Sequence, residues 1–506
     1  MTEGLGRIAT LTAGEVACRD GIERGLGVPR AGDDRYQARS RESFGPSGIA
    51  TRTNGPRPGA PWSDTHRVHA DGLRRARRIR PQSYDAPVKT LSASSRIDSA
   101  RMSEPRPGED RWLTPGVRGI GLASLLSDLG HEIPTALLPS FLTSVLGAPA
   151  VVLGLIEGIA DALSGIAKFA GGPIADDPAR RRSIAVGGYA ATAVMSSLIG
   201  LAGAAWQVGV LRAGAWSARG IRSPARNALL ADAVDPRAYG RAYGFERAMD
   251  NLGAVGGPLL ALGLVAVVGL REAILLSVIP GLLAAAAIVY AVRHLERPRE
   301  RRSAPIRIVV RPLLRGGLGR LLVGVAIFEA ANMAATLLIL RATELLSPGL
   351  GAAAATSTAI LLYVGYNIAA TAASIPAGRV ADARGPRLAF GGGIVLFALA
   401  YAIFAVAGPS VALLAGGFIA AGIASGATET AEHAAVAALA PTELRGSAFG
   451  LLAGIQSMGD LCASVVVGLL WTLVSPKLAF AVAAGAMVVA VGAVALGRTR
   501  GEAAAG

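Results

Sequence analysis

Cysteine is almost absent: Cys18 and Cys462 are the only two in 506 residues. They exclude a disulfide-stapled scaffold, and with five histidines they form no cluster at metal-ligand spacing. Lysine is nearly as scarce, with Lys89, Lys168 and Lys477 alone among the 50 basic residues, so the positive charge is carried by arginine. Charged residues of either sign make up only 17% of the chain and aromatics 5%. No HExxH, Walker, Rossmann or Ser-His-Asp arrangement stands out, so no enzymatic activity, cofactor or metal is expected. What the sequence has in excess is apolar: 52% hydrophobic residues and a mean hydropathy of +0.46. With its charges crowded into the first hundred positions and a few short loops, the chain reads as a membrane protein. The net charge of +15 then fits basic loops on one side of a bilayer, and no nucleic-acid partner is expected.

Residues 1–112 are rich in Arg, Ser, Pro, Gly and Asp, lack apolar periodicity, and hold a basic knot at Arg74, Arg75, Arg77, Arg78 and Arg80. They read as a disordered basic extension. The stretch has no apolar h-region of a signal peptide, so it is expected to stay in the cytoplasm. The knot is read first as a solvated tail, with a contact for anionic lipid or nucleic acid as the alternative. Met102 is an alternative start, which would leave a short polar lead into the first apolar segment.

Beyond this extension come twelve apolar segments, at 119–142, 150–174, 184–203, 206–224, 242–267, 273–292, 321–340, 357–377, 388–407, 411–430, 448–471 and 478–496. Each is near the roughly 20 residues that cross a ~30 Å hydrocarbon core as a helix. The expected organisation is a first six-helix bundle at 113–293, a central loop at 294–316, a second bundle at 317–497 and a tail at 498–506. Alternate loops hold the arginines: Arg180 to Arg182, then Arg237 and Arg241, the central loop, Arg379 to Arg387, Arg445, and finally Arg498 and Arg500. The other loops hold little more than Arg271, Arg341 and Lys477. The positive-inside rule therefore puts both termini and the central loop in the cytoplasm, and the arginine, alanine and glycine usage suggests a bacterial plasma membrane.

The two bundles are related. A shift of 206 positions brings Gly172-Pro-Ile-Ala-Asp176 onto Gly378-Arg-Val-Ala-Asp382, and Gly240-Arg-Ala-Tyr-Gly244 onto Gly446-Ser-Ala-Phe-Gly450. Parallel repeats joined by a basic loop are a transporter plan, with the substrate near the midplane between halves. Independently, segments three, six, nine and twelve contain no charged residue while most of the others do, which marks these four, at every third position, as the lipid-facing periphery and leaves the other eight to line a cavity.

Several charged side chains lie at membrane depth. Segment one carries Asp128 and Glu132 on one helical face beside His131, with Pro134 and Pro139 to bend it; segment two carries Glu157, Asp161, Ser164 and Lys168 as a stripe. By helix rise Asp128 and Asp161 both lie near mid-membrane. These carboxylates serve either as proton sites or as structural ion pairs, for example Asp161 with an arginine of segment four. Segment four carries Arg212, Arg219 and Arg222, and segment five opens with Glu246, Arg247 and Asp250. Arg212, the deepest arginine, most needs a carboxylate, with Asp128 or Glu132 the candidates. Glu329, Tyr363, Tyr366, Asn367, Gln456 and Asp460 supply polar groups of the second half, Asn367 and Gln456 being read first as interhelical hydrogen-bonding groups. Glu429, Glu432 and His433 are read as a solvated helix end, with a gate as the alternative.

These motifs resemble those of the major facilitator superfamily over roughly 115–500, which implies an all-α membrane fold of two pseudo-symmetric six-helix bundles. The loop signature of that family is matched by Gly378, Asp382, Arg384, Gly385 and Arg387, and in the first half by Gly172, Asp176, Arg180 and Arg182, without the later glycine. In the family this loop is a charge clamp on one alternating state. Arg212, Gly220 and Pro224 are similar to its segment-four signature, with Trp216 and Arg219 in place of small residues, so that Trp216 narrows the passage and Arg219 adds charge to it. Gly253-Ala-Val-Gly-Gly257-Pro258 resembles the start of its antiporter signature, with Ala261 and Leu262 where Gly-Gly would follow.

The resemblance implies a secondary transporter working by alternating access. The leading expectation is proton-coupled export of a small organic molecule, with Asp128, Glu132, Glu157 and Asp161 as proton or cation sites and Arg212 and Arg219 as their partners. The substrate cavity is expected at Trp216, Glu246, Asp250, Glu329, Tyr363, Tyr366, Asn367, Gln456 and Asp460. Import by proton symport is the alternative, and a non-transporting receptor or scaffold a more distant one. The excess of cavity acids over bases favours a cationic or zwitterionic cargo. The expected partners are that cargo, protons and the lipid bilayer, with the protein acting as a monomer.

Overall fold

The computed structural model describes residues 112–295 and 306–502, and every regular element among them is helical. The basic knot, Met102, residues 296–305 of the central loop and the last four residues lie outside the described residues. In the first half, α1 runs over Pro115–Ser140 and continues as a π-helical turn, Phe141–Val145. It is followed by α2 (Ala150–Ala175), α3 (Pro178–Leu198), α4 (Ala205–Asp232), α5 (Tyr239–Val268), and a pair, α6 (Leu270–Leu276) and α7 (Val278–His294). The second half begins with another pair, α8 (Gly316–Glu329) and α9 (Ala335–Leu350). It continues with α10 (Ala352–Arg384), α11 (Pro386–Val406), α12 (Val411–Leu439), α13 (Arg445–Leu473) and α14 (Pro476–Glu502). Counting each pair once gives the twelve segments read from the sequence.

Local chemistry sets the boundaries. Thr114 caps α1 by accepting the Val117 N–H at 3.3 Å, with Pro115 in the first turn where its missing N–H costs nothing. The break between α6 and α7 falls at Ser277, three residues before Pro280, which cannot donate into the preceding turn. The two copies of the repeated loop turn differently. Gly385, at φ +89°, separates α10 from α11, a conformation that glycine alone adopts cheaply. In the first copy the turn is shorter, and Asp177 caps α3 by accepting the Ala179 N–H at 2.9 Å. The glycine missing there is thus replaced by an aspartate cap and Pro178.

Segment seven departs from the expected continuous helix. It spans Gly316 to Leu350 and unwinds at 330–334, where no glycine or proline interrupts the sequence. The freed backbone is satisfied from neighbouring helices: the Met333 N–H donates to Tyr401 Oη at 3.2 Å and the Ala334 N–H to Ser464 Oγ at 3.4 Å. Irregular backbone at membrane depth survives only where protein or a wet cavity takes up its polar groups.

Eight segments are long and apolar enough to cross a membrane by length and composition: α3, α5, the α6–α7 pair and α10 to α14. The other positions are held by the charge-striped α1, α2 and α4 and by the broken α8–α9 pair. Within the first half, α1 packs on α5 and α7, and α4 on α2 and α3; within the second, α12 packs on α10 and α11, and α13 on α8. The halves meet through α5 against α10 and α12, and through α2 against α13. The second half is cored by aromatic rings, with Phe404 between Phe418 and Phe480 and Phe328 against Phe390 and Phe397. Aliphatic side chains such as Val395, Leu399, Val488 and Val489 point outward from α11 and α14, as expected of lipid-facing elements.

Candidate functional site

One face of α4 carries Arg212, Arg219, Arg222 and Arg226, spaced seven, three and four residues apart and so aligned along the helix. Each meets a different partner. Arg212, 1% exposed, donates to Glu157 of α2 and to Thr135 of α1, both at 3.0 Å, and stacks 3.4 Å above the Trp216 ring. Arg219 pairs with Asp128 of α1 at 3.3 Å and touches His131, which itself lies 3.2 Å from Glu132. Arg222 donates to Ser127 at 2.7 Å and lies over the Tyr189 ring. Arg226 pairs with Glu246 of α5 at 2.7 Å and reaches Asp250 at 3.4 Å.

The ladder ends in a contact between halves. Arg247 binds Glu246 at 2.8 Å and Asp250 at 3.3 Å within α5, and crosses to Glu429 of α12 at 3.3 Å. Glu246 is wholly buried and also accepts from Ser124 Oγ at 2.7 Å. It therefore holds α1, α4 and α5 together as a structural anchor.

The arginine partners differ from the sequence expectation. Arg212 takes Glu157 rather than Asp128 or Glu132, because the carboxylates of α1 are claimed by Arg219 and His131. Asp161 accepts from Trp216 Nε1 at 2.9 Å rather than from an arginine. The glycines of the antiporter-like motif bring α5 onto this cluster: a Cβ on Gly253 would lie 2.8 Å from Asp128 Cβ, and one on Gly257 2.4 Å from Glu132 Cβ. Small residues here let two backbones approach at the depth of the α1 carboxylates.

A cavity of about 450 Å³ opens between the halves. Asp250, Glu329, Tyr366, Gln456 and Asp460 line it, as does Arg219. Trp216, Glu246, Tyr363 and Asn367, also expected there, lie outside the lining, as do Asp128, Glu132, Glu157, Asp161 and Arg212. Tyr363 stacks on Tyr366 at 5.5 Å, and Asn367 donates to the Tyr363 carbonyl of its own helix at 3.0 Å, not to another helix. Gln456 does bond across helices, to Glu432 at 2.7 Å. Glu432 and His433 are buried, 1% and 7% exposed, so that helix end is not the solvated one expected.

The sequence reading missed Phe397 and Tyr401, which enter the cavity from α11, a segment assigned wholly to the periphery. Tyr401 is drawn in by the unwound stretch, since besides accepting from Met333 it donates to Asn332 Oδ1 at 3.1 Å. Asn332 in turn donates to Glu329 at 3.1 Å. An asparagine three residues after Glu329, in the middle of a largely apolar segment, was the available signal.

At the end of the molecule bearing the arginine-rich loops, the two copies of the repeat interlock crosswise. Asp382, at the end of α10, accepts the backbone N–H of Gly240 at 2.6 Å and of Arg241 at 3.0 Å, and pairs with Arg241 Nε at 2.9 Å. In the mirrored contact Asp176, at the end of α2, accepts the Ser447 N–H at 2.8 Å and its hydroxyl. The backbones touch: a Cβ on Gly378 would sit 2.2 Å from the Gly240 carbonyl oxygen, and one on Gly172 2.8 Å from that of Gly446. Asp232 adds a bridge, pairing with Arg181 of its own half and with Arg445 of the other at 3.1 Å. Of the remaining loop residues, Arg180 pairs with Asp177 at 3.4 Å, and Arg387 lies in the first turn of α11.

Two pseudo-symmetric bundles of membrane-length helices, enclosing a polar cavity and closed at one end by a repeated interlock, define a secondary transporter. The chain belongs to the Major Facilitator Superfamily, whose family model matches residues 120–343 and again 321–505, once for each half. It is 28% identical over 376 residues to an uncharacterized MFS-type transporter of Methanocaldococcus jannaschii, covering 73% of this chain and 92% of that one. It is 30% identical over 218 residues to an uncharacterized protein of Mycobacterium tuberculosis, covering 43% of this chain and 53% of that one. Among solved structures, its fold is similar to a bacterial homologue of the iron transporter ferroportin in the outward-facing state, with TM-score 0.61 and 15% identity over 75% of this chain and 98% of that one. It is also similar to the human organic anion transporter MFSD10 (TETRAN), with TM-score 0.59 and 16% identity over 75% and 99%. Membership makes the protein a multi-pass membrane transporter of a small molecule.

Proposed function

We propose that the protein exports a small organic molecule from a bacterial cytoplasm in exchange for protons, with its arginine-rich end facing the cytoplasm. The observation that carries this reading is the position of Arg219, which pairs with Asp128 on one side and lines the cavity on the other. A proton on Asp128 cancels the ion pair and leaves the guanidinium to the cavity. A cargo that needs that space is then released, and loss of the proton re-forms the pair. The two occupants thus exclude each other, which is the requirement for exchange.

The interlock supports alternating access. It ties the two halves together at the arginine-rich end in this state, through backbone contacts that only glycine allows, as a gate closed on that side would. Asp128, Glu132 and His131 form the proton site, and Glu157 with Arg212 and Asp161 with Trp216 hold α2 against α4 beside it.

The test is proton flux in proteoliposomes holding the purified full chain, read with an internal pH dye while cationic, zwitterionic, neutral and anionic compounds are added under an imposed pH gradient. Proton movement opposite to the compound is expected. Movement in the same direction makes the protein a symporter and overturns the exchange reading.

A further inference from the structure

The charges around the cavity are sorted by half. From the first half come Lys168, Arg219, Arg222, Arg226 and Arg247, offset within the lining only by Asp250; from the second come Glu329, Glu429 and Asp460 and no cation. Most of these are spoken for: Arg219 by Asp128, Arg226 by Glu246, and Arg247 by Glu246, Asp250 and Glu429. Four remain. Among the described residues, Lys168 and Arg222 meet no carboxylate within ion-pair distance, and neither Glu329 nor Asp460 meets a cation.

The leftover charges are not equivalent to a missed salt bridge. Arg222 is 3% exposed, and its Nε and Nη1 have no hydrogen-bond partner, so a buried positive charge stands uncompensated on the wall of the first half. Glu329 is 4% exposed and, among the described residues, accepts a side-chain hydrogen bond only from Asn332, at the unwound stretch of the second half. Lys168 of α2 and Asp460 of α13 both line the cavity, on helices that pack against one another, and do not pair with each other. Uncompensated charge at membrane depth is costly unless a partner arrives to meet it. Here the partner must be positive at one end and negative at the other.

We propose that the transported molecule is a zwitterion, its anionic group held by Lys168 in the field of Arg222 and its cationic group held by Asp460 and Glu329. A molecule of this kind spans the two halves and neutralises both walls at once, whereas a singly charged one leaves one wall bare. Tyr366 and Phe397 in the lining offer aromatic faces to the cationic end and to its apolar substituents. The inference rests on the reading of the cavity as a transport site and is independent of the coupling ion.

The test is a thermal-shift titration of the purified full chain in detergent, with no pH gradient. Phenylalanine, γ-aminobutyrate and ε-aminocaproate serve as probes of increasing charge separation, each beside its methyl ester, which keeps only the cation, and its N-acetyl derivative, which keeps only the anion. At least one zwitterion is expected to bind, with both of its derivatives at least about tenfold weaker. Lys168→Gln is expected to weaken that zwitterion by a similar factor and leave its methyl ester unchanged; Asp460→Asn is expected to do the reverse, sparing the N-acetyl form, and Lys168→Arg to restore binding. The melting temperature of each unliganded variant reports its folding, and either variant alone suffices. Derivatives that bind as tightly as their parent, variants that weaken all probes equally, or silence from all three zwitterions overturn the proposal. Binding of zwitterions without proton movement in proteoliposomes removes the exchange reading and leaves this one standing; exchange driven only by singly charged compounds does the opposite.

Discussion

Asp128 and Glu246 sit on neighbouring helices and each faces an arginine of α4, yet they are placed for different work. Glu246 is sealed between Arg226, Arg247 and Ser124, so Glu246→Gln leaves two buried guanidinium groups short of their carboxylate; a loss of about 3–5 kcal/mol follows, seen as poor expression and a lowered melting temperature. Asp128 faces a guanidinium that is 25% exposed and borders the cavity, so Asp128→Asn costs little stability. Its effect falls on coupling: substrate-driven proton flux drops by at least about tenfold, the loss of roughly 1.4 kcal/mol or more from the coupled step. Side-by-side melting curves and proteoliposome flux for the two variants check this contrast. The sequence placed Asp128 and Glu132 on one face by their four-residue spacing, and that reading survives. Which arginine meets which carboxylate was not legible, because it depends on the relative height of two packed helices, and periodicity along one chain carries no information about the other.

At the scale of the element, the twelve segments were legible because ~20 apolar residues between arginine-bearing loops leave few alternatives. The break in segment seven was not. Its cause lies in Tyr401 and Ser464, which supply hydrogen-bond partners from α11 and α13 for the unwound N–H groups, and no local glycine or proline announces it. The same tyrosine explains why α11, free of charge and otherwise peripheral, reaches the cavity. The contact of α5 on α1 was signalled by Gly253 and Gly257, although their target was not. Gly257→Ala places a methyl 2.4 Å from Glu132 Cβ, a clash that no rotamer relieves, so the helices must part at the depth of the α1 carboxylates. A stability loss of about 1–3 kcal/mol and a proton leak in the absence of added compound are expected, read by thermal melting and by the passive decay of a pH gradient in proteoliposomes.

At the scale of the whole molecule, the repeat read from the sequence as two related halves has a use that the sequence did not reveal. Its two motifs, each present once in either half, pair crosswise, Asp382 with Gly240 and Arg241, Asp176 with Ser447, so the same residues that identify the duplication hold its halves together. The cavity acids and bases were legible as a list; their division into a basic wall and an acidic wall emerges only when the halves face each other. Closure and the proposed proton site are joined through α5, which begins at the interlock with Gly240, carries Arg247 to Glu429 of the other half, and packs Gly253 against Asp128.

That link can be measured directly. Spin labels at Arg237→Cys and Arg384→Cys, exposed positions of opposite halves at the arginine-rich end, in a chain whose Cys18 and Cys462 are replaced by serine, report its closure by pulsed electron spin resonance in nanodiscs. The account predicts a single short distance at alkaline pH, a second and longer distance that grows as the pH falls, and the longer distance already populated at alkaline pH in Asp128→Asn. One unchanged distance across the pH range, in both the parent and the variant, would contradict it.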